Sequence, residues 1–129
     1  MDAFIVELKN QPGTFGKVAD AIAARGVNVM CAGAAFADFG IATYVADDSA
    51  GLRSGLEDCG ADFRSVPAIK VRVDNRPGSG AELARILSDA GVNLDVFMPI
   101  EISADKAVVA IGCEKIDRAR TALGDRVIA

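Results

Sequence analysis

Histidine is absent from this chain of 129 residues, and so is tryptophan. Without an imidazole it cannot assemble a Ser-His-Asp or Cys-His nucleophile pair, a histidine general base or most zinc sites. Aromatic residues make up only 5%, too few for a platform on which the bases of RNA or single-stranded DNA could stack. Cations are outnumbered, with 14 Lys and Arg against 18 Asp and Glu. The resulting net charge of −4 and isoelectric point near 4.7 argue against partners that present phosphates, whether nucleic acid or an anionic membrane surface. The three cysteines, Cys31, Cys59 and Cys113, are an odd number at irregular spacings with no CxxC pair. They read as structural thiols of a reduced compartment. Long apolar runs are missing too: the stretch from Val29 to Ala37 falls well short of the roughly 20 residues that span a bilayer. Met1-Asp2 opens the chain with no basic segment behind it, so no secretory leader is expected and the expected location is cytoplasmic.

What is present is an ordinary globular composition, 51% apolar and 25% charged, well away from the disordered corner. The length suits one domain or two small ones. An internal repeat decides between them. The segment from Asn10 to Val29 recurs from Asn75 to Leu94, a spacing of 65 residues without a gap. Asn10/Asn75, Pro12/Pro77, Gly13/Gly78, Ala19/Ala84, Gly26/Gly91, Val27/Val92 and Asn28/Asn93 are identical pairs. Thr14/Ser79, Val18/Leu83, Ile22/Leu87 and Val29/Leu94 are conservative ones. About one or two identities would arise by chance over this length. The chain is therefore read as two copies of one unit, 1–66 and 67–129.

Both copies follow the same plan. Phe4, Val6 and Leu8 alternate with Ile5, Glu7 and Lys9, as Ile69, Val71 and Val73 alternate with Lys70, Arg72 and Asp74. Such a period marks a strand with one buried face. An Asn-x-Pro-Gly turn follows, then Thr14 or Ser79 as an expected N-cap. Phe15, Val18, Ile22 and Leu83, Ile86, Leu87 form apolar stripes at helical spacing, ended by Gly26 and Gly91. A second strand is expected from Asn28 to Phe36 and from Asn93 to Ile102, and return strands over Ile41–Ala46 and Ala107–Gly112. Helices near Ser49–Cys59 and Glu114–Leu123 come next, with closing strands at Asp62–Val66 and Arg126–Ile128. The order β-α-β-β-α-β, twice, predicts a ferredoxin-like α+β fold with helices on one face of an antiparallel sheet. Strands 1 and 3 of each copy belong at its centre. A unit of this size buries only about 60% of its unfolded surface, and no flexible linker separates Ser65 from Ala68, so the copies are expected to pack together. Their second strands are expected to pair into a continuous eight-stranded sheet.

A strand, Asn-x-Pro-Gly, a helix, and Gly-Val-Asn-Val or Gly-Val-Asn-Leu opening the next strand resemble the ACT domain family. Those are small βαββαβ regulatory modules that bind amino acids and are usually attached to enzymes of amino-acid metabolism. The resemblance covers nearly the whole of these residues and leaves no room among them for a catalytic domain. It implies a tandem ACT protein that binds a free amino acid, without cofactor or catalysis. In that family the ligand sits between paired domains, where the turn of one meets the start of strand 2 of another. Carried onto this sequence, the contacts would be Asn10, Gln11, Pro12, Gly13, Thr14 and Phe15 with Asn28, Val29 and Met30. The second copy would offer Asn75, Arg76, Pro77, Gly78 and Ser79 with Asn93, Leu94 and Asp95.

The chemistry of these residues suits a zwitterion, which needs donors for its carboxylate and acceptors for its ammonium. Backbone N–H groups at a helix N-terminus favour an anion, and Gly13 and Gly78 permit close approach to the backbone. The same residues also suit a purely structural turn, with Asn10 and Asn75 tying it down. Phe15 and Phe97 are expected in the core rather than in a pocket. Asp47-Asp48, with no further acids nearby, reads as a solvated turn before a helix. Arg76, where the first copy has Gln11, makes the two turns unequal. No nucleophile-base pair, metal cluster or phosphate loop can be assembled, so the chain is not expected to be an enzyme. The alternative is a ligand-free assembly module that dimerises and grips a partner enzyme of amino-acid metabolism. The return strands are apolar on both faces, and a solvated face should be polar. A homodimer stacked through the open faces is therefore expected.

Overall fold

A computed structural model describes residues 1–129. The chain divides into Met1–Ser65 and Val66–Ala129. In the first unit β1 (Asp2–Lys9) leads into α1 (Thr14–Ala24), β2 (Met30–Phe36), β3 (Phe39–Val45) and α2 (Ser49–Asp58). A long strand, β4 (Asp62–Asp74), closes that unit with its first residues and opens the second with the rest. The second unit continues through α3 (Ser79–Asp89), β5 (Val96–Ile102), β6 (Lys106–Gly112) and α4 (Ile116–Leu123), then a 3-10 turn over Gly124–Arg126. Both units are α+β with the β-α-β-β-α order that the repeat predicts. No helix is long and apolar enough to cross a membrane.

The hydrogen-bonded strand order is β2-β3-β1-β4-β6-β5, six strands in place of the eight expected. Two expected strands merge, because Ser65-Val66-Pro67-Ala68 stays extended and makes β4 one strand. A third shrinks: Gly124 ends α4, the 3-10 turn takes the next residues, and only a bridge from Val127 to Val71 remains. The second strands do not pair with each other, since β2 and β5 stand at opposite ends of the order. Pro99, which lacks an N–H, and a bulge before Glu101 further unsuit β5 for another partner.

Each unit has its own core. Phe4, Val6, Val18, Ile22, Tyr44, Leu52 and Leu56 fill the first, and Ile69, Val71, Leu83, Leu87, Ile111 and Leu123 the second. Asp48 caps α2 by accepting a hydrogen bond from the Gly51 N–H at 2.8 Å, a definite use for one of the two adjacent acids. Phe15 and Phe97 depart from expectation: they are 49% and 41% exposed. The sheet faces differ as well. In the first unit Met30, Ala32, Ala34 and Phe36 stand opposite Val45, Thr43, Ile41 and Phe39, on the face away from the helices. Phe36, Phe39, Ile41 and Met30 there are exposed. The corresponding residues of the second unit, Val96, Met98, Val108 and Ala110, are buried within the chain. The exposed positions on that face of the second unit, Arg72 and Glu101, are charged.

Candidate functional site

The two turns between strand and helix are built alike. The Asn10 N–H donates to the Asp38 carbonyl at 2.9 Å and its side-chain amide to the Ala37 carbonyl at 2.9 Å. Asn75 repeats this, donating to Asp105 O at 2.9 Å and to Ser103 O at 2.7 Å. Each asparagine thus staples its turn to the neighbouring hairpin and keeps its amide oxygen and a second amide N–H for another partner. Gly13 and Gly78 take φ of 88° and 93° and are the helix N-caps. Their carbonyls accept the first helical bonds, from Lys17 at 3.0 Å and Glu82 at 2.9 Å. Thr14 and Ser79, expected as caps, are the first helical residues instead and make no side-chain cap bond. The turn needs a left-handed residue before the helix, which only glycine supplies without strain.

In the first unit a groove of about 470 Å3 opens beside this turn. Lys9, Asn10, Gln11 and Phe15 form one side, and Cys31 to Ala35 of β2 with Gly40 to Ala42 of β3 form the other. Phe15 stacks on the buried ring of Tyr44 at 6.5 Å between centroids. Lys9 is the one charged residue of the lining. Pro12, Gly13 and Thr14 lie in the turn but do not line the groove. Asn28 is exposed and Val29 packs on the core. Met30 faces the other side of the sheet, opposite Val45. Of the residues expected from the sequence, the structure gathers Asn10, Gln11 and Phe15. The small residues of β2, Cys31-Ala-Gly-Ala-Ala, were not expected as contacts. Their run without a bulky side chain is the signal that marks them, since it leaves room beside the backbone.

The second unit is different. A cavity of about 330 Å3 is lined by Arg72, Asp74, Arg76, Ser79, Glu82, Lys106 and Arg126, among others. Five of its charges pair among themselves. Glu82 takes Arg126 at 3.0 Å and Arg76 at 3.4 Å, and Asp74 pairs with Lys106. The Lys106 ammonium, with help from Arg76, holds the Asp74 carboxyl below its ordinary value. Asn75, Pro77 and Gly78 shape the turn without lining this cavity. Asn93 is exposed, Leu94 packs on the core, and the Asp95 N–H donates to Gly112 O at 2.9 Å.

Two units of β-α-β-β-α order, each with its Asn-x-Pro-Gly turn before its first helix, make a ferredoxin-like α+β fold repeated along the chain. Solved structures share it over nearly the full chain. A protein from Bacteroides thetaiotaomicron is 23% identical with a TM-score of 0.77, covering 95% of this chain and 85% of its own. The ligand-free regulatory subunit of aspartate kinase from Thermus thermophilus is 22% identical with a TM-score of 0.66, over 97% and 90%. A C-terminal regulatory domain ascribed to aspartate kinase from Porphyromonas gingivalis is 14% identical with a TM-score of 0.60, over 99% and 93%. No protein-family profile matches the sequence. No curated protein matches it either.

Proposed function

We propose that this chain is a non-catalytic regulatory protein, one that binds a free amino acid and acts on a partner enzyme of amino-acid metabolism. One observation carries the reading: the fold runs end to end with that of a regulatory subunit of aspartate kinase. The binding site is the turn from Asn10 to Phe15, with its helix N-terminus, and the groove beside it. The Phe15 N–H, at the start of α1, and Lys9 receive the carboxylate. The free edge of β2, which pairs with β3 alone, supplies carbonyls for the ammonium. Thermal melts against the twenty amino acids test this. A ligand at 100 times its dissociation constant adds about 2.7 kcal/mol, so a binder raises the melting temperature visibly, and no shift with any of them refutes ligand binding.

A second role rests on a separate observation. The open face of the first unit carries Phe36 at 91% and Phe39 at 54% exposure, an apolar patch that a monomer in water would not favour. A second copy of the chain covers it in a homodimer.

A further inference from the structure

The two units place an aromatic ring at the mouth of the same site in opposite ways. In the first, Phe4 pairs across β1 and β3 with Tyr44, and Tyr44 across β2 with Cys31. In the second, Ile69, the repeat partner of Phe4, pairs with Ile111, and Ile111 with Phe97. Phe97 therefore occupies the sheet position that Cys31 holds in the first unit. On the helix side the exchange runs the other way, because Phe15 corresponds to Gly80. A Cβ at Gly80 would meet the Phe97 ring at 3.5 Å, so the ring lies over the start of α3 in the space that the glycine vacates. The second unit fills its own groove with an apolar side chain. The first, with Cys31-Ala-Gly-Ala-Ala on the strand, leaves the groove open.

Resting on the amino-acid-binding reading above, we infer that the first unit alone binds ligand in this groove, that the ligand is an amino acid with an uncharged, apolar side chain, and that Phe97 is a built-in occupant of the equivalent place in the second unit. Charge complementarity agrees. The groove holds one cation, Lys9, to meet the carboxylate. It has no acid to receive a basic side chain and no second cation for an acidic one. On the helix side its walls are Phe15, Leu8, Cys31, Ala35 and Ala42.

Isothermal titration of the full chain with phenylalanine, leucine, valine, lysine and aspartate tests the inference. One ligand per chain is expected from the apolar set, with lysine and aspartate at least about tenfold weaker, a difference of roughly 1.4 kcal/mol. Cys31→Phe, at an exposed position, should fill the groove and abolish binding while the melting temperature stays close to that of the wild type. Phe97→Ala should open the second groove and raise the stoichiometry. Lysine or aspartate binding tighter than every apolar amino acid overturns the ligand class and leaves the regulatory reading standing. Silence with all twenty amino acids in the thermal melts overturns that reading itself. Unchanged affinity in Cys31→Phe overturns the location, and it does so even if Phe97→Ala fails to fold.

Discussion

Tyr44 is 1% exposed and its hydroxyl has no hydrogen-bond partner. Burial, with smaller contributions from Cys31 and Cys59, pushes the phenol up to about 12, so it stays neutral across the working range. A buried hydroxyl without a partner costs about 1–3 kcal/mol, whereas the ring earns its place by packing in the core and against Phe15. Tyr44→Phe should therefore stabilise the chain by about 1 kcal/mol, read as a higher urea midpoint at unchanged slope; a clear loss of stability would show that the hydroxyl is bonded. The exposed pair of Arg25 and Asp58 makes a different argument. The guanidinium donates to both carboxylate oxygens, at 2.6 and 2.8 Å, and that bond holds Asp58 below its ordinary value. A carboxyl depressed in the folded state stabilises above its unfolded value, near 3.9, and loses that contribution as pH falls through the folded value. Asp58→Asn should thus melt below the wild type at pH 7, and the gap should close as pH drops below about 4. Both side chains are 47% exposed, so salt should narrow the gap too.

At the scale of elements, strained backbone sits where the turn meets the hairpin. Ala37, between β2 and β3, takes φ of 57°, a conformation that costs an L-residue with a Cβ about 1–2 kcal/mol. Its carbonyl also holds the Asn10 side chain, so the hairpin and the turn before α1 share this residue. Ala37→Gly should relieve the strain and raise the melting temperature, offset in part by the entropy of glycine in the unfolded chain. Gly13→Val and Gly78→Val should do the reverse. Nothing lies within 4 Å of a Cβ at either position, so the cost is backbone strain of about 1–2 kcal/mol each, and differential calorimetry should find both variants folded but less stable. These elements were legible in the sequence to different degrees. The strands and helices of each copy followed from alternation and helical spacing, which the buried residues impose. The capping glycines were visible in Asn-x-Pro-Gly, yet Thr14 and Ser79 look like better caps until the sign of φ is known. The merging of two strands at Pro67 was not legible, because an extended Ser-Val-Pro-Ala reads equally as a connector. Nor was the groove: half of it is made by the absence of side chains on β2, and small residues in a sequence do not say whether the space beside them is filled.

The whole molecule is asymmetric despite its repeat. On the face away from the helices the first unit exposes large apolar side chains, while Val96, Met98, Val108 and Ala110 of the second are buried; the apolar patch of the first can meet the same patch on another copy. The patch joins Met30, Phe36, Phe39 and Ile41 across β2 and β3, with Ala32 and Ala34 between them. Such flat, small-centred surfaces let two sheets approach to about 10 Å. Glutamate at Val108 or Ala110 would be a poor probe, because both are buried within the chain and an unpaired charge there would unfold it. Ala34→Glu and Ile41→Glu are better, since both positions are exposed and the monomer keeps its core. Wild type should scatter light as a dimer at tens of micromolar, while the double variant should scatter as a monomer with a far-ultraviolet spectrum unchanged. Both faces of β2 would then have work: the helix side lines the ligand groove, and the open side makes the dimer. A wild type that stays monomeric under those conditions would leave the patch to solvent and remove the second copy from the proposal, while the groove on the helix side would be untouched.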